Sequence, residues 1–273
     1  MTESPSLPLE AIVLGMGLAA YSAAALAAAA RQGRSGPHWG VVLGLLACGV
    51  VFFGAAITER WLRVGYGPFL TLYEVLLSNL FTLGLIYALV YWLVPAVRPA
   101  APAVVGVLLL LGAWSLAVQR SPSRLPPTYE NPWLWVHVAV GKIFLGTCLV
   151  AASLAGLLLK RSWRRSEAGG CSGRLLDTLA WRFLAVAFVF HSLMLIAGAV
   201  WAQDAWGRYW SWDPLETWAF LTWLAMAVLM HARVTYRVPE WLGWSMIIAI
   251  FILAFATFFG VPFVSTSPHK GAI

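Results

Sequence analysis

Charged residues are scarce in this sequence of 273 residues, of which only 11% are Asp, Glu, Lys or Arg. A soluble domain carries about a quarter charged residues, and here hydrophobic residues make up 61%. Apolar runs long enough to cross a hydrocarbon core of about 30 Å recur along the whole chain. These proportions exclude a soluble globular protein and predict a polytopic membrane protein.

Cysteine is also rare, since the chain has three residues of this type and no C-x-x-C pair. We therefore expect no dithiol chemistry from this chain alone, and we expect any thiol chemistry to use a partner's cysteines. The N-terminus lacks a basic segment and carries Glu3 and Glu10, so no cleaved signal peptide is expected. The net charge of +7 is explained by basic loops, without a nucleic-acid partner.

Eight apolar segments are predicted to be helices, because lipid cannot satisfy the hydrogen bonds of an open backbone. They span Leu9–Ala30, Trp39–Ile57, Phe69–Leu93, Pro102–Val118, Leu134–Leu159, Trp181–Ala202, Pro214–His231 and Trp241–Val264. The predicted fold is an all-α membrane helical bundle of about eight transmembrane helices. Residues 1–273 are predicted to form one integral membrane domain without internal repeats.

Basic residues divide unequally between the two sets of loops that these spans create. One set contains Arg31, Arg34, Arg98, Lys160, Arg161, Arg164, Arg165, Arg174, Arg182, Arg233 and Arg237, and the other contains Arg60, Arg63, Arg120, Arg124, Arg208 and Lys270. The positive-inside rule places the richer set in the cytoplasm. Both termini are then predicted to be external, and the basic segment 160–178 becomes the one long cytoplasmic loop.

The segment 201–223, WAQDAWGRYWSWDPLETWAFLTW, contains six tryptophans and lies on the predicted external side. An ordinary aromatic belt needs only one or two tryptophans at each helix end. Gly207, Pro214 and several charges interrupt any single helix through this segment. We interpret it as a shaped aromatic platform for a large flat ligand.

Two histidines, His137 and His269, flank this segment in the sequence and are predicted on the same side of the membrane. Such a pair could ligate a haem iron from both faces, and the alternative is two ordinary interfacial histidines. His231 ends the seventh span at the cytoplasmic side, where snorkelling is the alternative to a ligand role. His38 is interpreted as a plain surface residue.

Two polar residues fall within predicted spans. His191 lies ten residues before Trp201, about 15 Å along a helix, which places it near the middle of the membrane. A polar residue at that depth indicates a function, and the alternative is a helix–helix hydrogen bond through a neutral imidazole. Lys142 either snorkels outward or faces a carboxylate of the ligand.

The run from Trp206 to Trp218, WGRYWSWDPLETW, resembles the WWD signature of haem-handling proteins. Its form WGxxWxWDPxETW is similar to the CcsA (ResC) branch of system II cytochrome c biogenesis. Upstream, GPFLTLYEVLLSNLF with Tyr73 and Glu74 resembles the external YE segment of that family. The positions of His137, His231 and His269 match its three histidines, whereas Leu215 and the SPHKG context of His269 depart from its pattern.

The resemblance implies a haem-transporting and haem-presenting subunit of a holocytochrome c synthase, acting with a CcsB/ResB-like membrane partner. Haem b would be moved outward and presented to the CxxCH motif of an apocytochrome c for thioether attachment. The implied iron ligands are His137 and His269 at the external site and His231 for haem in transit. The remaining candidate haem-contacting residues are Trp206, Trp210, Trp212, Arg208 and Asp213.

Two of these candidates have structural alternatives. Arg208 either contacts a haem propionate or forms an ion pair with Asp204 or Asp213. Asp213 is expected to cap the seventh span, with Pro214 at the first helical position and Glu216 at the same positive helix end.

The resemblance implies a bacterial plasma membrane location, and the family also occurs in thylakoid membranes. Three other functions are alternatives to the synthase subunit. They are a haem exporter or carrier without synthase activity, a b-type electron-transfer subunit with paired histidines at equal depth, and a scaffold whose tryptophans bind only lipid.

Overall fold

The computed structural model describes residues 7–30, 39–67, 69–163 and 171–261. Within these ranges the chain is helical and has no strand. Eight helices in this part of the chain are long and apolar enough to cross a membrane. The predicted all-α multi-pass fold is confirmed.

The helices keep the predicted order but differ from the predicted spans at several ends. They are α1 Leu7–Ala30, α2 Trp39–Val64, α3 Leu72–Leu93, α4 Ala101–Ala117, α5 Pro132–Trp163, α6 Cys171–Trp206, α7 Pro214–Thr235 and α8 Glu240–Phe259, with short 3₁₀ helices at Pro95–Ala100 and Pro127–Tyr129. Helices α2, α5 and α6 extend beyond the apolar runs into polar sequence, because intrahelical hydrogen bonding does not require apolar side chains. The predicted end of the eighth span, Val264, lies outside the described residues.

The chain divides into two compact units, and the first comprises Met1–Leu125. Its helices contact one another in the cyclic order α1, α2, α3, α4, so each packs against two neighbours. Within this bundle the hydroxyl of Tyr21 donates to the carbonyl of Leu80 at 3.0 Å.

A buried ion-pair cluster lies at one end of this first bundle. The Arg60 side chain is 0% exposed and pairs with Glu74 at 2.9 Å and with Glu10 at 3.5 Å. Arg63 also pairs with Glu10. Glu74 additionally forms a capping box with Thr71 at the start of α3. Removing one member of such a pair leaves an uncompensated buried charge, which is strongly destabilising. The cluster therefore stabilises the packing of α1, α2 and α3.

The second unit comprises Pro126–Gly271 and forms a second bundle. Its helices contact one another in the cyclic order α5, α6, α7, α8. The basic segment 160–178 lies inside this unit. The assignment of residues 1–273 to one membrane domain stays a prediction.

One carboxylate joins three helices at the end of this second bundle that lies opposite the tryptophan segment. Asp177 on α6 accepts hydrogen bonds from the indole N–H groups of Trp181 at 3.2 Å and Trp244 at 2.7 Å. It also pairs with Arg233 of α7 at 2.9 Å. The guanidinium of Arg233 lies 5.0 Å above the Trp181 ring. These contacts fix α6, α7 and α8 at that end.

Candidate functional site

The loop between α6 and α7 is defined by a stop signal and a start signal. Gly207, with φ of +75°, ends α6, and its N–H donates to the carbonyl of Gln203 at 2.9 Å. Asp213 caps α7 through a capping box with Glu216, and Pro214 occupies the first turn. The predicted capping role of Asp213 is confirmed.

Glu216 also organises the residues that precede α7. Its carboxylate accepts from the backbone N–H of Ser211 at 2.7 Å and from that of Asp213 at 3.4 Å. Trp212 lies between these two donors with φ of 59°, a left-handed conformation that is rare for a bulky side chain. Its indole is 69% exposed. The Glu216 contacts on both sides hold this strained residue in place.

A cavity lies inside the second unit, next to this loop, and the empty space of about 630 Å³ at this place includes open solvent. A concave site with mainly apolar walls and a few polar groups is typical of small-molecule and cofactor sites. It is lined by His137, Met194, Leu195, Gly198, Ala199, Tyr209, Trp210, Leu215, Glu216, Ala219, Thr257 and Phe258. Most of these side chains are apolar, so the few polar groups determine which ligand atoms the cavity recognises.

His137 lies in the cavity wall on α5, and its ring orientation is set by α6. Its Nδ1 is 2.9 Å from the carbonyl oxygen of Met194. A carbonyl only accepts, so Nδ1 carries the proton and the neutral ring has its lone pair on Nε2. A histidine that binds a metal usually donates its other ring N–H to such an acceptor. The imidazole therefore has the tautomer that an Nε2 iron ligand requires.

The close approach of His137 to α6 requires a glycine at position 198. A Cβ atom on Gly198 would lie 2.7 Å from Nδ1 and 2.9 Å from Cε1 of His137. Real Cβ atoms do not approach other heavy atoms so closely. Gly198 therefore leaves the space in which the imidazole reaches the Met194 carbonyl.

Trp201 supports the imidazole from a second direction. Its ring stacks on His137 with centroids 6.2 Å apart and an interplanar angle of 27°. It also contacts Trp206 at 4.9 Å and Tyr129 at 5.7 Å. Its N–H donates to the carbonyl of Thr128 at 2.9 Å, which fixes the indole. Burial in this aromatic group raises the pKa of the Tyr129 phenol.

The three tryptophans predicted to pack a ligand occupy different places. Trp210 lines the cavity. Trp206 packs edge-on against Trp201, and Trp212 is exposed while contacting Trp210 edge-on at 5.7 Å. The structure thus brings Trp210 and His137 into one cavity, with Trp206 against Trp201 and Trp212 at the surface.

Arg208 is exposed in the loop, and neither alternative ion pair is formed. Asp204 instead accepts from Asn131 at 3.0 Å, and Asp213 is engaged in its capping box. Across the described ranges, Arg208 has no ion pair. Its guanidinium remains a candidate for a ligand carboxylate.

None of the remaining histidines among the described residues lines the cavity, although His191 lies close to it through Phe144, which contacts Phe258. His231 is exposed near the end of α7, where its Nε2 is 3.4 Å from the Thr235 hydroxyl. His191 is 1% exposed and stacks on Phe144 at 4.0 Å and 14°. Neither ring nitrogen of His191 has a hydrogen-bond partner among the described residues, so the expected helix–helix hydrogen bond is not formed. His269 and His38 lie outside those residues.

The hydrogen bond between Trp223 and Ser192 fixes the relative depth of two of these histidines. The Trp223 indole N–H donates to the Ser192 hydroxyl at 2.8 Å, so these residues of α7 and α6 lie at one level. His191 adjoins Ser192, whereas His231 follows Trp223 by eight residues, about 12 Å along a helix. The two histidines therefore lie at different depths within the second unit.

Several cavity residues were not identified from the sequence. Met194 contributes its backbone carbonyl, which no side-chain pattern reports. Gly198 resembles any other small residue in an apolar helix. Thr257 and Phe258 on α8 reach the cavity only because the helices close into a ring. The sequence offers one signal for these residues, which is that they lie toward the predicted external ends of their spans.

Comparison with known proteins places the chain in one family. The family described as "Cytochrome C assembly protein" matches residues 41–269. The "Cytochrome c biogenesis protein CcsA" of Parasynechococcus marenigrum (strain WH8102) is 32% identical over 267 residues, covering 84% of this chain and 86% of that protein. The protein of the same description from Guillardia theta is 29% identical over 262 residues, covering 83% of each.

A solved structure described as "Cytochrome c Heme Lyase CcmF" has a similar fold. It superimposes with a TM-score of 0.69 and 18% sequence identity, covering 95% of this chain. The chain spans about half of that protein, 47% of its length. At this identity the similarity establishes the shared fold alone.

Proposed function

Because the chain belongs to the cytochrome c assembly protein family, within its CcsA branch, we propose that it presents haem for cytochrome c synthesis. In this proposal haem b moves to the external face of the membrane and is held for attachment to an apocytochrome c. A CcsB/ResB-like membrane protein completes the synthase. The location is the bacterial plasma membrane or the thylakoid membrane.

The geometry of His137 is the observation that supports this function best. Its Nδ1 hydrogen bond to the Met194 carbonyl leaves Nε2 as the basic nitrogen, in the wall of a mainly apolar cavity. A neutral imidazole of this tautomer is an axial ligand for haem iron. The apolar walls favour a porphyrin ring that water would otherwise have to solvate.

A second axial ligand completes the external site in this proposal. His269 is its source, because the predicted topology places it on the same side of the membrane as His137. His231 lies near the C-terminal end of α7, whereas the cavity lies at the N-terminal end of this helix. In this proposal His231 binds haem that has not yet reached the cavity. Arg208, exposed in the loop, pairs with a haem carboxylate.

The attachment chemistry demands positioning more than catalytic side chains. Each thioether forms when a cysteine S–H of the CxxCH motif adds across a vinyl C=C bond of haem. This addition requires no oxidant. Holding the vinyl groups near the sulfur atoms lowers the barrier by proximity and orientation. The histidine of CxxCH then displaces one axial ligand, which releases the product.

Visible spectroscopy of the purified chain with its partner, reduced and oxidised, tests this function. We expect a low-spin bis-histidine spectrum that is lost or altered in both His137→Ala and His269→Ala. His191→Phe is the matched control, because His191 does not line the cavity, and its spectrum should be unchanged. A spectrum that survives both changes and disappears with His231→Ala would place the main haem site elsewhere. Absence of haem from every preparation would refute the proposal.

Two other haem functions make different predictions. A carrier without synthase activity would copurify with haem but give no thioether product with an apocytochrome and reductant present. A b-type electron-transfer subunit needs two histidines at equal depth on neighbouring helices. The Trp223–Ser192 hydrogen bond separates His191 from His231 by about 12 Å, which argues against that function.

A further inference from the structure

Trp210 carries a polar group in the cavity that nothing in the chain's described residues satisfies. Its Nε1 atom is buried and has no hydrogen-bond partner within those residues. The indole lines the cavity together with His137 and is held edge-on by Trp212 at 5.7 Å and by Phe220 at 6.3 Å. The ring is therefore fixed while its N–H remains available to a ligand.

This indole differs from four other tryptophans of the same unit. Trp181 and Trp244 donate to Asp177, Trp201 donates to the Thr128 carbonyl, and Trp223 donates to Ser192. Buried tryptophan N–H groups usually find such partners, because leaving a buried donor unsatisfied is costly. The unsatisfied N–H of Trp210 belongs to a residue that lines the cavity. This position indicates that a bound molecule supplies the acceptor.

The side-chain acceptor groups of Glu216 and Thr257 in the cavity wall are already engaged. The Glu216 carboxylate accepts from the Ser211 and Asp213 backbone and from the Ser211 hydroxyl. The Thr257 hydroxyl donates to the Leu253 carbonyl at 2.9 Å and contacts Thr222. The partial positive charge at the N-terminus of α7 offsets part of the negative charge of Glu216 and Asp213, and Arg208 adds a full positive charge in the same loop.

We propose that the Trp210 indole N–H donates to a carboxylate of the porphyrin bound in this cavity, and that this bond orients the macrocycle. The inference rests on the proposed function and deepens it. The carboxylates of haem b occupy one edge of the ring and the vinyl groups the opposite edge. With the carboxylate edge at Trp210, the vinyl edge faces away from it.

The test combines a change in the protein with a change in the ligand, using the chain together with its partner in detergent. Haem and haem dimethyl ester, which lacks the ionised carboxylates, are titrated into the unaltered chain, Trp210→Phe and Trp218→Phe. Trp218→Phe is the matched control, because Trp218 is 43% exposed and does not line the cavity. A hydrogen bond to a charged acceptor predicts a preference for haem of about tenfold or more.

The expected result is that Trp210→Phe lowers this preference severalfold and leaves only the part that Arg208 supplies, while Trp218→Phe retains the full preference. Equal weakening of both porphyrins by Trp210→Phe would show that the ring only packs, and would overturn this proposal while the proposed function stands. Failure of the unaltered chain to bind either porphyrin would overturn both. If Trp210→Phe does not fold, Trp210→benzothienylalanine keeps the bicyclic ring and removes only the N–H, with the same two outcomes.

Discussion

Replacing Gly198 with alanine should leave the stability of the second bundle almost unchanged and should weaken haem binding. An alanine in the middle of a helix is normally favoured over glycine by about 1 kcal/mol. At this position the added Cβ would lie 2.7 Å from Nδ1 of His137, so the imidazole must move away from α6. That movement breaks the hydrogen bond to the Met194 carbonyl.

The gain in helix propensity stabilises the fold, whereas the loss of the hydrogen bond to Met194 destabilises it. Ligand binding is affected only by the loss of the hydrogen bond. The lost hydrogen bond costs about 1 kcal/mol, which offsets the gain in helix propensity. We therefore expect the free energy of unfolding of Gly198→Ala to change by less than about 1 kcal/mol. Haem affinity should fall by about 10- to 100-fold, because the group that orients a metal-binding histidine is lost.

The assay is a haem titration followed by visible absorption, alongside denaturant unfolding of the same preparation. Gly156→Ala is the matched control, because the nearest atom to its Cβ would be Ile248 Cδ1 at an ordinary 3.9 Å. The control should keep its haem affinity. Gly198→Ala with an affinity within twofold of the unaltered chain would refute the assigned orientation of His137.

Three further changes test other parts of the structure by measured unfolding free energy. Glu216→Ala should lose about 1–2 kcal/mol because it removes a capping box. Glu240→Ala should lose much less, because Glu240 lies in the first turn of α8, which has no side-chain cap. Equal losses would contradict the role of the capping box. His191→Phe should be neutral or stabilising by up to about 2 kcal/mol, since it removes two unsatisfied buried nitrogens, and a large loss would reveal a partner for the imidazole. Arg60→Met should lose about 3–5 kcal/mol because it leaves the buried Glu74 carboxylate without an ion pair, and exposed Arg124→Met should lose almost nothing. A small loss for Arg60→Met would mean that water screens the cluster.

The number and order of the helices were predictable because lipid imposes one solution on an apolar run. The start of α7 was also predictable, since Asp213 and Pro214 form a local start signal that needs no tertiary context. The ends of α2 and α6 were not, because hydropathy reports where lipid ends and not where helical hydrogen bonding ends. The ring closure that brings α8 to the cavity depends on packing between distant segments.

The candidate site was predictable in its residue types and not in its geometry. The tryptophan pattern pointed to Trp206, Trp210 and Trp212 as equals, yet the left-handed backbone at Trp212 turns that indole outward. The orientation of His137 is set by a backbone carbonyl and by a missing Cβ, and both are invisible to patterns of side-chain chemistry.

The contacts around Trp212 have a consequence for the order of assembly. The carboxylate of Glu216 reaches the backbone on both sides of Trp212 only from the third position of a formed helical turn. The loop therefore acquires its shape after α7 has begun to wind, and it cannot act as an independent hairpin. During biosynthesis the platform matures only once the seventh helix is inserted, so a chain halted before that point has the tryptophans but no site.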